Sequence, residues 1–322
     1  MHQVSVIVSN FNGAKWLPRL LETLKSQEGV DLEIIIVDRN STDESASILA
    51  SNSEVKVVSH RPETGLVCGY DEGVALASHD LFFFCNEDMW FEPTCLKRIS
   101  EVINLKDRIG ASMPVQWTYD LKEIVNCGAW FQDSIWNPSN PYPFKKSIWY
   151  LKEQTSIVSG INAGACMLHR TVYQDVGGWD RSFFLDYEDM DLSIRLWQKE
   201  WKCCVVPSAK VGHAVGASNS KAIDGGKQKV SRKRYIEGTS NVSAIAIKTF
   251  TGISVVFPFI ALTDRLIRNL VHLRFERAWW DLHVFWDILR RLPILKEFRD
   301  SNAKWNQARP GQEYFRVPEF CD

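Results

Sequence analysis

Three short apolar runs govern what this chain can fold into: Val4-Ser-Val-Ile-Val8, Leu32-Glu-Ile-Ile-Ile-Val37 and Leu81-Phe-Phe-Phe-Cys85. Each is too short for a typical helix and rich in β-branched or aromatic residues, which predicts strands, the last of them buried on both faces of a sheet. Each also stops at polar residues: Ser9-Asn-Phe-Asn-Gly13, Asp38, and Asn86-Glu-Asp88. Helical signals lie between them. Leu17, Leu20, Leu21 and Leu24 recur at i, i+3, i+4 and i+7, and Ser41-Thr-Asp-Glu44 has the spacing of a capping box, with Ser41 as cap and Glu44 reaching back. Val55-Lys-Val-Val58 supplies a further strand, Gly65 to Ala77 a turn and helix, and Pro93 opens a helix carrying Leu96, Ile99, Val102 and Ile103. This alternation predicts an α/β fold with a doubly wound, mostly parallel central sheet flanked by helices.

Ligands of such sheets bind beyond the carboxyl ends of the strands. Parallel pairing of the three runs carries Asn10, Asp38 and Asp88 to one edge, although they are far apart in sequence. Carboxylates there suit a divalent cation and the anionic ligand it carries. On these residues alone, a polar turn that merely ends a strand is an equal reading. No GxGxxG follows the first run and no GxxxxGK[ST] occurs, which disfavours dinucleotide oxidoreductases and P-loop enzymes. A nucleotide bound here is held by its base and its metal.

Lys and Arg number 38 against 39 Asp and Glu, a net charge of -1, so no nucleic-acid partner held by bulk electrostatics is expected. The 8 cysteines show no paired CxxC spacing, which points away from zinc and disulfide frameworks and toward reduced thiols in a cytosolic setting. The N-terminus opens directly into a strand-like run, without the basic and apolar regions of a signal peptide.

From Met113 to Ser159 the periodicity breaks down, and aromatic residues from Trp117 to Tyr150 are set among Pro138, Pro141 and Pro143. Most are expected to pack an irregular insertion, with a minority facing a ligand, since aromatic rings also stack on sugar faces. Small residues from Ser159 to Ala165 lead into another strand, and Gly177-Gly178 stops a short helix. Phe183-Phe-Leu-Asp-Tyr-Glu-Asp-Met-Asp-Leu192 then brings a second acidic cluster, with Glu188, Asp189 and Asp191 at the start of a helix continuing through Leu196 and Trp197. The helix dipole accounts for one or two of these carboxylates. Asp191 has Arg195 four residues on, a surface pair by spacing, whereas Asp189 has no obvious partner. Cys203 to Val206 reads as a strand turned by Pro207, and Lys210 to Ala214 contains His213, for which ligand and structural roles are equally open.

The stretch from Ser218 to Arg234 is polar and basic, either a loop that closes over a diphosphate or a solvated linker. Thr249 to Thr263 carries no charge but contains Pro258 and falls short of the ~20 apolar residues of a membrane span. Beyond it, Arg265, Arg268, Arg274 and Arg277 mingle with Trp279, Trp280, Phe285 and Trp286, which suits helices at a membrane interface, helices packed on the catalytic part, or a homodimer.

Six segments carry a resemblance to a known family: Val4 to Gly13, Ile36-Val-Asp-Arg-Asn-Ser-Thr-Asp43, Asn86-Glu-Asp88, Gly177-Gly-Trp-Asp180, Phe183 to Leu192, and Val211-Gly-His213. Their order and spacing resemble family 2 glycosyltransferases of the GT-A fold, nearest to a bacterial rhamnosyltransferase-like branch, over roughly the first two thirds of the chain. The resemblance implies residues 1–217 as the GT-A catalytic domain, with 1–113 the nucleotide-sugar half and 114–217 the acceptor half. Residues 218–322 then form a basic loop and a helical region suited to associating with a membrane. It implies a nucleoside-diphosphate sugar donor, dTDP-rhamnose or a UDP-sugar, and a glycan or lipid-linked oligosaccharide acceptor. The setting it implies is surface polysaccharide synthesis at the inner face of the plasma membrane. Asp38 corresponds to the base-recognising residue, with Asn10, Arg39, Asn86 and Glu87 at the donor site. Asp88 and His213 correspond to ligands of Mg²⁺ or Mn²⁺, Asp189 to the catalytic base, and Glu188 to a residue that orients the base or touches the acceptor. Asn86 departs from the aspartate usual at the head of the D-x-D-like motif, and Glu63 to Asp71 replaces an Asn- and Gly-rich run, placing Tyr70 and Asp71 where donor preference is set. A sugar nucleotidyltransferase and a non-catalytic sugar-nucleotide-binding or scaffold subunit are the competing readings.

Overall fold

In the computed structural model, residues 1–59, 66–131, 144–146, 154–184, 186–214, 223–224, 227–228, 231–249 and 255–301 are described. The Glu63 to Gly65 part of the run before Tyr70, Trp136, Tyr142, Trp149 and Tyr150 of the insertion, and most of the basic stretch from Ser218 lie outside them.

The N-terminal half alternates as its periodicity requires: β1 (His2–Asn10), α1 (Leu17–Lys25), β2 (Val30–Asp38), α2 (Ser45–Ala50), β3 (Lys56–Ser59), α3 (Leu66–Leu76), β4 (Leu81–Asn86), a short β5 (Met89–Phe91) and α4 (Cys95–Glu101). There follow β6 (Ile109–Thr118), β7 (Ile124–Asn126), β8 (Ala129–Phe131), β9 (Phe144–Lys146), β10 (Ser156–Val158), β11 (Ala165–His169), α5 (Arg170–Asp175), α6 (Glu188–Gln198) and β12 (Lys202–His213). The main sheet runs β10-β12-β6-β11-β4-β1-β2-β3. Strands β1, β2, β3 and β4 pair in parallel, β11 enters antiparallel between β4 and β6, and β6 and β12 are again parallel.

Because side chains alternate along a strand, a run apolar at every position must be covered on both faces. In β4, Phe82 and Phe84 enter a core with Val67 and Tyr70 of α3, Val172 of α5 and Leu192 of α6. Leu81, Phe83 and Cys85 enter the opposite core, with Leu20 of α1, Leu49 of α2 and Ile99 of α4. The sheet is thus the middle of three layers.

Beyond it lie α7 (Arg232–Thr249), α8 (Phe257–Val271) and α9 (Phe275–Ser301). Ile245 and Ile247 of α7, Leu262 of α8 and Val284 and Ile288 of α9 share a third core with Met190, Ile194 and Trp197 of α6. Among the described residues no helix is long and apolar enough to cross a membrane.

Three local expectations are corrected. Ser41 does not cap α2, which begins at Ser45 after Glu44; its hydroxyl donates to Asp38 Oδ1 at 2.6 Å, and its oxygen is taken by the Asn12 N–H at 2.9 Å and the Asn10 amide at 3.2 Å. Pro207 does not break the strand, since β12 runs through it with a register shift against β6 between Val206 and Lys210 that accommodates the missing N–H. The Asp191–Arg195 pair is buried rather than superficial, at 2.8 Å with side chains 0% and 1% exposed. Its burial is tolerated because the charges are balanced. Arg195 also donates to the carbonyls of Val176 and Gly178, and the Lys248 ammonium of α7 reaches Asp191 at 2.6 Å and Asp180 beside it. Burial alone would raise Asp180, but Lys248 next to it brings its pKa down to about 2.

Candidate active site

The carboxyl ends of β1, β2 and β4 lie side by side, and the residues predicted there meet. Asn10 and Asp38 are register partners across β1 and β2, and the Asn10 amide donates to Asp38 Oδ1 at 2.7 Å. Asp38 Oδ2 accepts the Ser41 N–H at 3.0 Å, so the loop after β2 is wound around its own carboxylate. Among the described residues, two buried polar atoms of this pocket find no partner: Asn10 Oδ1 and Arg39 Nε. An unsatisfied acceptor and donor at one strand edge are what a polar ligand such as a nucleobase can complete. Gly13 is required here, because a Cβ at that position would meet Asn10 Oδ1 at 2.2 Å and the Glu87 side chain at 2.7 Å.

Asn86, Glu87 and Asp88 divide their tasks. Asn86 turns its amide oxygen to the Tyr70 hydroxyl at 3.4 Å. Glu87 is pushed up to about 8 by burial and by the neighbouring Asp88, with Arg39 partly offsetting both. Asp88 is 9% exposed. Pairing of β5 with the end of β12 sets His213 opposite Met89, and the Ala214 N–H bonds the Asp88 carbonyl at 3.0 Å. As a result His213 Nε2 lies 3.3 Å from Asp88 Oδ1.

Among the described residues no three His, Cys, Asp or Glu side chains cluster as a metal site. Asp88 and His213 nevertheless fit as two ligands of a hard divalent cation, one oxygen and one imidazole nitrogen, which leaves the remaining positions to ligand oxygens and water.

The second acidic cluster opens α6. Asp186 and Tyr187 precede it with left-handed backbones, φ 67° and 70°, a conformation that non-glycine residues adopt at a cost. The turn is held from α7: Arg234 forks onto the Asp186 carboxylate at 2.8 and 2.9 Å, and the Asn241 amide donates to the Asp186 carbonyl. Asp189, without an evident partner in the sequence, accepts on Oδ2 from the Asn162 amide at 3.0 Å and the Ala163 N–H at 3.3 Å. Burial raises the Asp189 pKa against those N–H donors, and burial together with the Asp189 charge raises that of Glu188. Two adjacent buried carboxyls do not readily ionise together. The charge settles on Asp189, which has the donors, while Glu188 Oε2 is buried without a partner.

Asp189 opens onto a cavity of about 680 Å³, walled on one side by Asn126, Ile161 and Asn162 and on the other by Arg234, Tyr235 and Thr239 of α7 and Arg277 of α9. Sequence reasoning missed this wall. It also missed Asn162 and Gln116, which bond each other at 2.8 Å; nothing in the spacing of a lone amide marks it. Lys248, by contrast, left a trace, a single cation ending the apolar run Ala244-Ile-Ala-Ile247. Tyr70 is fully buried, and Asp71 accepts from Tyr173 and Arg181 at 2.5 and 2.7 Å. Of the insertion's aromatics, Tyr119 packs edge-on against Trp16 and Trp90, and Trp117 lies against the core.

Comparison with known proteins adds to this geometry. The sequence model of glycosyl transferase family 2 matches residues 5–164. An uncharacterised glycosyltransferase of Nostoc sp. is 32% identical over 112 residues, 34% of this chain and 35% of that protein. One of Bacillus subtilis is 24% identical over 243 residues, 74% of this chain and 83% of that protein. The chain thus spans only about a third of the first relative. Among solved structures, GalNAc-T7 with UDP, GalNAc and Mn²⁺ superposes with a TM-score of 0.60 at 17% identity, covering 80% of this chain and 50% of that one. S. aureus TarS gives 0.52 at 14% identity, covering 95% and 54%. Both likenesses are of fold.

Proposed function

The chain belongs to glycosyltransferase family 2, and from that premise we propose that it is a metal-dependent inverting enzyme. Its donor would be a nucleoside-diphosphate sugar, dTDP-rhamnose or a UDP-sugar, and its acceptor a hydroxyl of a glycan or lipid-linked oligosaccharide. One observation carries the reading: a single sheet edge joins the Asn10–Asp38 pocket to the Asp88–His213 pair, and Asp189 looks from the neighbouring helix into a separate cavity. Residues 1–217 form the catalytic unit in this reading, with α7 and α9 completing the acceptor side.

Asn10, Asp38 and Arg39 hold the base, with Asn86 and Glu87 lining the donor site. Asp88 and His213 hold Mg²⁺ or Mn²⁺, which when bound neutralises charge on the departing diphosphate; the fold neighbour GalNAc-T7 was solved with Mn²⁺. Asp189 takes the proton of the acceptor hydroxyl, whose oxygen bonds to the anomeric carbon as the bond from that carbon to the diphosphate oxygen breaks. The nucleoside diphosphate leaves with the electron pair, and the configuration inverts. Val271, Leu273, Phe275, Trp279 and Trp286, all more than half exposed around the turn between α8 and α9, support a peripheral contact with the membrane that presents a lipid-linked acceptor.

A thermal-shift panel of UDP-, dTDP- and GDP-sugars with and without Mn²⁺ tests the donor site. One nucleotide class stabilises the wild type only with metal, and Asp88→Ala abolishes the shift; a folded protein unmoved by every nucleotide removes the assignment. The pH profile tests the base. A raised carboxyl must lose its proton to act, so kcat falls as pH drops through a limb lying above the ordinary aspartate value of about 3.9. An acid limb at or below that value would contradict the assignment of Asp189.

A further inference from the structure

Between the Asp88–His213 pair and Asp189 lie two amides whose orientation the structure fixes. Assignment begins at a group that can only donate: the backbone N–H of Gly164 bonds Asn162 Oδ1 at 3.1 Å. The Asn162 nitrogen therefore faces Asp189 Oδ2, 3.0 Å away. Gln116 Nε2 donates into the same Asn162 oxygen at 2.8 Å, which turns Gln116 Oε1 toward His213 Nδ1 at 3.2 Å. An amide oxygen accepts only, so Nδ1 carries the hydrogen. In the neutral ring that leaves the Nε2 lone pair directed at Asp88 Oδ1, 3.3 Å away. Two acceptors facing each other at this distance hold a cation or a proton between them.

We propose that Gln116 and Asn162 are positioning residues that tie the metal-binding pair to the base through one directed chain of hydrogen bonds, His213 to Gln116 to Asn162 to Asp189, with Gln116 setting the tautomer in which His213 offers Nε2 as a ligand. The inference rests on the assignment of Asp88 and His213 to the metal made above, and it deepens that assignment.

Flipping Asn162 would set its oxygen against Asp189 and its nitrogen against two N–H donors, and flipping Gln116 would set its oxygen against Asn162 Oδ1, so the direction is fixed from the Asn162 end. Gln116 is 1% exposed, which leaves no room for solvent to take over either bond. The three links come from separate elements, His213 from the end of β12, Gln116 from β6 and Asn162 from the turn before β11. The chain thereby makes the orientation of the ring depend on the same residues that orient the carboxylate. Partners behind metal-bound histidines typically account for ten- to hundred-fold in affinity.

The test is Mn²⁺ binding followed by EPR, for the metal alone and with UDP, dTDP or GDP, in wild type, Asp88→Ala, His213→Ala, Gln116→Leu, Gln116→Glu and the His213→Ala/Gln116→Leu double variant. Melting curves run alongside to establish that each is folded. Gln116→Leu weakens Mn²⁺ at least ten-fold. The double variant is no weaker than His213→Ala, because Gln116 acts only through the ring. Gln116→Glu, which still accepts from Nδ1, binds Mn²⁺ within about two-fold of wild type or more tightly. Wild-type affinity in a folded Gln116→Leu, additive losses in the double variant, or a folded Gln116→Glu as weak as the leucine variant overturns the proposal. If Asp88→Ala binds Mn²⁺ as wild type does, the metal assignment itself falls, an outcome distinct from the other three.

Discussion

Asp189→Asn is expected to lower turnover about a thousand-fold, roughly 4 kcal/mol of transition-state stabilisation, while leaving donor affinity within about two-fold of wild type. The asparagine oxygen still accepts from the Asn162 amide and the Ala163 N–H, so those anchors are kept, while its NH2 replaces the oxygen that accepts the Met190 N–H and the ability to take a proton is lost. The measurement is release of nucleoside diphosphate with acceptor present, paired with metal-dependent donor binding by calorimetry. A variant that retains a tenth or more of wild-type turnover would remove Asp189 from the role of base. Glu188 would then be the group to test next, since it is buried beside Asp189 at the start of α6.

The second large effect concerns stability. Lys248→Met is expected to cost about 3–5 kcal/mol, because it strips the ammonium from a buried cluster and leaves Asp180 without its cation, while Arg195 continues to hold Asp191. For a chain of 322 residues that corresponds to a fall in Tm of roughly 4–7 °C. The pH dependence has a definite sign. Asp180 is depressed to about 2 in the folded protein from an ordinary 3.8, so its contribution is fully present above 3.8 and is lost as pH falls toward 2. The difference between wild type and variant is therefore largest near neutrality and narrows through that window. Urea unfolding at pH 7 and pH 3 measures it; equal stability of the two proteins at pH 7 would show that the cluster is not a structural keystone. The experiment bears on the site as well, since Lys248 joins α7 to the start of α6, and α7 also carries Arg234 and Tyr235 of the wall of the Asp189 cavity.

Much of this sheet edge was legible in the residues themselves. The runs of β1, β2 and β4 are apolar at nearly every position and end at polar side chains. That pattern dictates parallel strands buried on two faces, and it sends Asn10, Asp38 and Asp88 to one edge whatever the details of packing. Strand polarity is a property of local sequence and short connections, so what lies at a strand's end can be read directly. Asp191 was misread for the opposite reason. An i,i+4 spacing says that two side chains meet, and says nothing of whether another helix will cover them. Here α7 does cover them, and the surface pair becomes the centre of a buried network.

The sequence by itself determined the layered sheet, the identity of the carboxylates at its edge and the family to which they belong, because periodicity and strand ends are encoded within a few residues of one another. Only the tertiary structure decided that His213 faces Asp88, that two unremarkable amides join that pair to Asp189, and that the C-terminal helices wall the cavity onto which Asp189 opens. Those contacts depend on the pairing of β5 with β12, on the entry of β11 between β4 and β6, and on the packing of α7 against α6. Each brings together side chains separated by long stretches of chain, and no local spacing records such a meeting.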